Sequence, residues 1–132
     1  MVSRRCQQEL RQEREQARVR FEKQRRKNLY LAEPGPLPFV LVLDHLKAGY
    51  NVPKIFRSAQ AFGAREVHLV GVAPFDPAPA KGAFKRVPAR FHDSFDSVHA
   101  ELAGQGYTLY TLEAGCGDAL IEAELPEKSA FI

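Results

Sequence analysis

Long apolar runs are missing from this sequence. No uninterrupted stretch approaches the roughly 18 residues that a membrane-crossing helix needs, and the arginine-rich start lacks the apolar segment of a secretory signal. Cysteine is scarce too: only Cys6 and Cys116 occur, which excludes a disulfide framework. Because Cys6 lies in a charged segment, both are expected to be free thiols in a reducing compartment, and the protein is expected to be cytoplasmic. Several catalytic signatures are absent, among them the P-loop lysine, His-Glu-x-x-His, paired CxxC and the Gly-x-Ser-x-Gly elbow. Gly115-Cys116-Gly117 lacks the third glycine of a dinucleotide turn, and Asp118 and Glu122 beside it would repel a pyrophosphate. His45, His68, His92 and His99 show no ligand spacing, so no metal is expected, and His68 reads as a satisfied histidine within a strand.

What is present fits one modest soluble domain. The 132 residues are 45% hydrophobic and 27% charged, which excludes collagen-like and wholly disordered classes. The formal net charge of +3 hides a split. Residues 1–28 hold ten basic and four acidic side chains, a net of +6, and the remainder holds nine and twelve, a net of −3. A basic arm that releases counterions on meeting a polyanion makes RNA or DNA the first partner to consider. Residues 1–32, with no Gly or Pro and with Ser3 as a cap, predict a helix. Its apolar stripe of Cys6, Leu10, Ala17 and Phe21 is sparse, so two readings stand, a solvated helix and an RNA-binding extension. In the second, Arg4, Arg5, Arg11, Arg14, Arg18, Arg25, Arg26 and Lys27 contact RNA, and removing residues 1–32 leaves the body folded.

Three prolines within residues 33–38 break the helix and predict a semi-rigid linker. From Phe39 the pattern changes. Phe39–Leu43 is an apolar run suited to a strand buried on both faces. Asn51 and Pro53 mark a helix start, with Asn51 at the cap; Ile55, Phe56, Ala59 and Phe62 form its inner face, and Gly63 stops it. Strands are expected at Glu66–Val70, around Arg86–Ala89 and at Tyr107–Leu112, with a helix capped by Ser94 before the last. This order predicts an α/β fold, a parallel sheet with helices on both faces. Ser129–Ile132 opens a further buried strand, which suggests the N-terminal portion of a longer protein.

The segment Leu41–Gly71 narrows the reading. Its buried strand, Asn51, Arg57 six residues later, and Ala59, Phe62 and Gly63 as they stand resemble the first motif of the SpoU/TrmH family of RNA ribose 2′-O-methyltransferases. The resemblance extends from about Phe39 to Ile132, although only this motif is diagnostic; Pro53 stands where many members have Gly. It implies a SPOUT-like α/β-knot fold and methyl transfer from S-adenosylmethionine to a ribose 2′-hydroxyl of tRNA or rRNA. It also implies a homodimer in which Asn51 and Arg57 serve catalysis at the target ribose. A guanidinium is a poor base, so Arg57 is expected to position phosphate and stabilise a developing alkoxide. The bland reading pairs it with a carboxylate such as Asp44. The motifs that build the donor pocket and tie the knot are expected beyond Ile132, leaving cofactor-binding residues unassigned. A non-catalytic RNA-binding module and a flavodoxin-like interaction domain remain the alternatives.

Overall fold

The computed structural model describes residues 3–47 and 49–132. A long helix α1 (Arg4–Leu31) precedes strand β1 (Val40–Asp44), helix α2 (Asn51–Phe62), strands β2 (Glu66–Val70) and β3 (Ala89–His92), helix α3 (Phe95–Gly104), and strands β4 (Thr108–Tyr110) and β5 (Ser129–Phe131). The five strands form one parallel sheet in the order β3-β2-β1-β5-β4, the expected α/β class. Helices cover both faces. Leu43, Val67 and Leu69 meet α1, α2 and the loop after β2 on one side, and Val40, Val42, Val70 and Ala130 meet Val98 and Leu102 of α3 on the other. No described helix is long and apolar enough to cross a membrane.

The local signals explain most boundaries. Ser3 and Ser94 cap α1 and α3 by accepting from the amides of Cys6 (3.2 Å) and Ser97 (3.3 Å). Gly63, at φ 77°, ends α2 in the left-handed region that favours glycine. Asn51 is not the cap of α2 but its first residue; Tyr50 precedes it and no side chain caps this end. Phe62, expected inside, is 73% exposed, because the last turn of α2 overhangs the core before Gly63 turns the chain. The third strand begins at Ala89, after Pro88, which joins the sheet only as an acceptor from Val67 N. β4 covers three of the six residues expected.

Helix α1 is free only over its N-terminal half. Residues 3–16 are exposed along about 20 Å of helix. Beyond them Phe21 is buried against Phe75, Phe84 and Phe91, with ring centroids 5.0, 5.4 and 6.2 Å away. One further side chain seals the dock. Asn28, also buried, donates from Nδ2 to the carbonyls of Phe84 and Val87 (2.6 Å each) and accepts from Ala89 N (3.2 Å). Arg20 adds a two-pronged pair with Asp76 (3.3 and 2.9 Å), which raises the guanidinium pKa and holds the carboxyl below its ordinary range. The body's core thus includes Phe21 and Asn28 of the first 32 residues, so removing those residues is expected to cost stability.

Residues 33–38 lie against the body. Glu33, Gly35 and Leu37 donate to Arg86, Arg65 and Gly63 carbonyls (3.2, 3.2 and 3.0 Å). A Cβ at position 35 would collide with the Ala64 carbonyl, so the close approach requires glycine.

Candidate nucleic-acid interface

The motif residues sit at the carboxyl edge of the sheet, where the loop after β1 enters α2 and the loop after β2 returns beside it. Arg57, on the second turn of α2, is exposed. Among the described residues it has no ion-pair partner; Asp44 is instead bonded to Nδ1 of His45 (2.5 Å), so the Arg57–Asp44 pair does not form. His45 takes a left-handed conformation (φ 53°) and its ring lies over Gly71, where a Cβ would stand 2.5 Å from the imidazole.

Arg57 lines a groove of about 730 Å³ together with Tyr50, Lys54, Phe62 and, from the loop after β2, Pro79 and Lys81. Asn51 lines a neighbouring groove of about 400 Å³ with Lys47, and Lys54 and Ser58 border both. The fold therefore brings Asn51 and Arg57 to adjacent concavities rather than into one. Neither is bordered by a carboxylate, and both carry lysines. Such a lining suits a polyanion. Tyr50 and Phe62, each 73% exposed, add aromatic faces, and Lys54 Nζ stands 5.8 Å from the Tyr50 ring centroid.

The groove does not end there. Tyr50 and Pro79 also border a concavity lined by Pro74, Phe75 and Asp76, and those three residues border the next, lined by Arg14, Ala17 and Arg18 of α1. A surface track thus runs from the motif Arg57 to two arginines of the arm.

The other arm residues divide. Arg4 and Arg11 are exposed on the projecting half, and Arg26 is exposed on the docked half. Arg5 is paired with Glu9 at 3.3 Å. Arg25 is placed over the Phe91 ring, 4.1 Å from its centroid, and serves the dock; Lys27 is half-buried. Sequence reasoning passed over Tyr50, Lys54 and Lys81. The exposed tyrosine three residues before a proline at a helix start was a signal for the first, but Lys81 reaches the groove only through tertiary structure.

A sequence-family model described as the SpoU rRNA methylase family matches residues 38–132. Among solved structures, the chain is similar to a TrmH/SpoU tRNA modifying enzyme from A. aeolicus, with a TM-score of 0.64 and 16% identity over 86% of this chain and 59% of that one. It is also similar to a protein assigned to the TrmH family of RNA methyltransferases from Porphyromonas gingivalis (TM-score 0.61, 30% identity, 77% of this chain and 44% of that one). An rRNA methyltransferase from Sinorhizobium meliloti gives 0.61 and 21% over 75% and 40%. No curated protein matches the chain. It spans between two fifths and three fifths of the length of these structures.

Proposed function

Since the chain belongs to the SpoU rRNA methylase family, we propose that it is the RNA-facing part of an enzyme that methylates a ribose 2′-hydroxyl of tRNA or rRNA with S-adenosylmethionine as donor. The observation that carries this reading is a motif arginine with no ion-pair partner among the described residues, in a lysine-bearing groove joined to the arm through concavities that share lining residues. RNA phosphates follow Arg14 and Arg18 toward the groove, and a base stacks on Tyr50, which supplies a flat π-face without demanding a particular sequence. Lys54 and Lys81 hold the flanking phosphates. Arg57 presents its fixed fork of donors to the target nucleotide, orienting it and stabilising negative charge that develops on the ribose oxygen. Asn51 contacts the substrate from the adjacent groove. The enzyme acts in the cytoplasm as a homodimer, with the arginine of one subunit facing the donor site of the other.

The described residues do not themselves fit S-adenosylmethionine. The loop after β4 is almost wholly exposed, the positions where Cβ atoms would project from Gly115 and Gly117 meet open space, and Asp118 and Glu122 make its surface acidic. This reading therefore puts the donor site outside the described elements, and no step is derived through it. The same observation favours a second reading, an RNA-binding module without transfer activity. Incubating the full-length gene product with RNA and methyl-labelled S-adenosylmethionine, then digesting the RNA to nucleosides, separates them. A labelled 2′-O-methylnucleoside supports the enzyme; label in a base refutes ribose specificity, and RNA binding without label supports the module.

A further inference from the structure

On the α3 face of the sheet three side chains converge that the spacing of the histidines did not announce. β2 and β3 run in parallel register with Val70 opposite His92 and His68 opposite Arg90, so both histidines project to the same face. His68 Nδ1 and His92 Nε2 stand 2.9 Å apart. Glu101, one turn and a half into α3, brings Oε2 to 3.7 Å from His92 Nε2, and His68, His92 and Glu101 each offer one ligand atom within 4.8 Å of the other two.

We propose that His68 Nδ1, His92 Nε2 and Glu101 Oε2 form a binding site for a zinc-class divalent cation that clamps α3 to the sheet. The carboxylate distance is too long for a hydrogen bond. It is close to the roughly 3.3 Å that separates two ligand atoms each about 2.05 Å from one tetrahedral ion. Each imidazole is also braced on its far side, as metal-binding histidines are. His68 Nε2 is 2.8 Å from Glu66 Oε1, and Glu66 is itself held by Arg90 at 3.3 Å. His92 Nδ1 is 3.2 Å from Ser97 Oγ. With Glu66 ionised, His68 carries its proton on Nε2 and offers a lone pair at Nδ1.

Without metal, His92 Nε2–H donates to that lone pair and the Ser97 hydroxyl donates to His92 Nδ1. On binding, the His92 proton moves to Nδ1 and the Ser97 oxygen becomes its acceptor, so both rings stay neutral and no net proton is released from them. Two imidazoles and one carboxylate without thiolate match zinc sites that keep a fourth position for water. His68 is fully buried, whereas Glu101 reaches the surface and opens the way in.

Zinc chloride is titrated into chelator-treated full chain carrying Cys6→Ser and Cys116→Ser, which removes the two exposed thiols, with a chromophoric chelator as competitor. One equivalent should bind, and cobalt should give the intense visible absorption of a four- or five-coordinate nitrogen–oxygen site. Glu101→Gln and His92→Gln should each weaken binding about a hundredfold, and Ser97→Ala about tenfold. His99→Gln and His45→Gln should leave it unchanged. Absence of stoichiometric binding, a wild-type affinity in Glu101→Gln, or loss of binding in either control variant would overturn the site. If His92→Gln does not fold, the partly exposed Glu101 position and the cobalt spectrum of the unaltered ligand set decide it.

Discussion

Asn28→Ala tests the dock of α1 with a single atom group. The amide satisfies two carbonyls and one backbone N–H that lie against the body, and Asn28 is only 7% exposed. At about 1 kcal/mol net for each lost hydrogen bond, the substitution costs about 3 kcal/mol. A domain of this size is stable by about 5–15 kcal/mol in total. With a urea slope of roughly 1.5 kcal/mol per molar, the unfolding midpoint should fall by about 2 M. Truncation gives the matching contrast. Removing residues 1–16 takes away exposed helix alone and should change stability by about 0.5 kcal/mol or less. Removing residues 1–32 also deletes Phe21, worth about 3–5 kcal/mol, and together with Asn28 consumes most of the stability. Urea melts followed by far-ultraviolet circular dichroism measure all three. A midpoint change below about 0.3 M for Asn28→Ala, or a cooperative melt in the 33–132 fragment equal to that of the full chain, would refute the docked helix.

Three further outcomes are expected. Arg14→Ala with Arg18→Ala should weaken RNA binding and lower the log–log salt slope by about 1.5, since each phosphate contact contributes roughly 0.7–0.9; an unchanged slope in filter binding across salt would remove α1 from the track. The Arg20 bond depresses the Asp76 pKa, so the pair's stabilisation is complete above the ordinary aspartate range near ~3.9 and is lost as pH falls through the lower folded value. Thermal melts should therefore separate wild type from Asp76→Asn at neutral pH, with the gap closing as pH falls below the ordinary aspartate range, and a constant gap would contradict the pair. Gly71→Ala meets both a positive φ of 59° and the His45 ring and should destabilise by about 1–3 kcal/mol, whereas a neutral effect would mean His45 does not sit over β2's end.

The legible parts of this fold are those written in neighbouring residues. β2 was readable from Glu66–Val70 alone, α2 from its start at Asn51 to Gly63, and the caps from Ser3 and Ser94. Arg57 was found by its motif, and the structure shows it exposed in a groove without the carboxylate pair. What stayed hidden depends on contacts distant in sequence. Phe21 and Asn28 share one face of α1, seven residues apart, but an asparagine gives no sign of burial until the Phe84–Ala89 backbone it bonds is in place. The proline-rich loop after β2 carries no periodic apolar pattern, yet it buries Phe75, Ala80, Ala83 and Phe84 and supplies one wall of the groove. His68 and His92 stand 24 residues apart and meet only through the parallel register of β2 and β3.

The central claim is that Arg57 acts on the target nucleotide from the groove, and single-turnover methylation by the full-length gene product at saturating donor tests it most directly. Arg57→Ala should slow transfer by about 10²–10³, the loss typical of one preorganised electrostatic donor, while donor affinity and the melting midpoint stay near wild type. Arg57→Lys keeps the charge without the planar fork and should remain impaired. Transfer by Arg57→Ala at the wild-type rate, with the protein folded and RNA bound, would contradict the account.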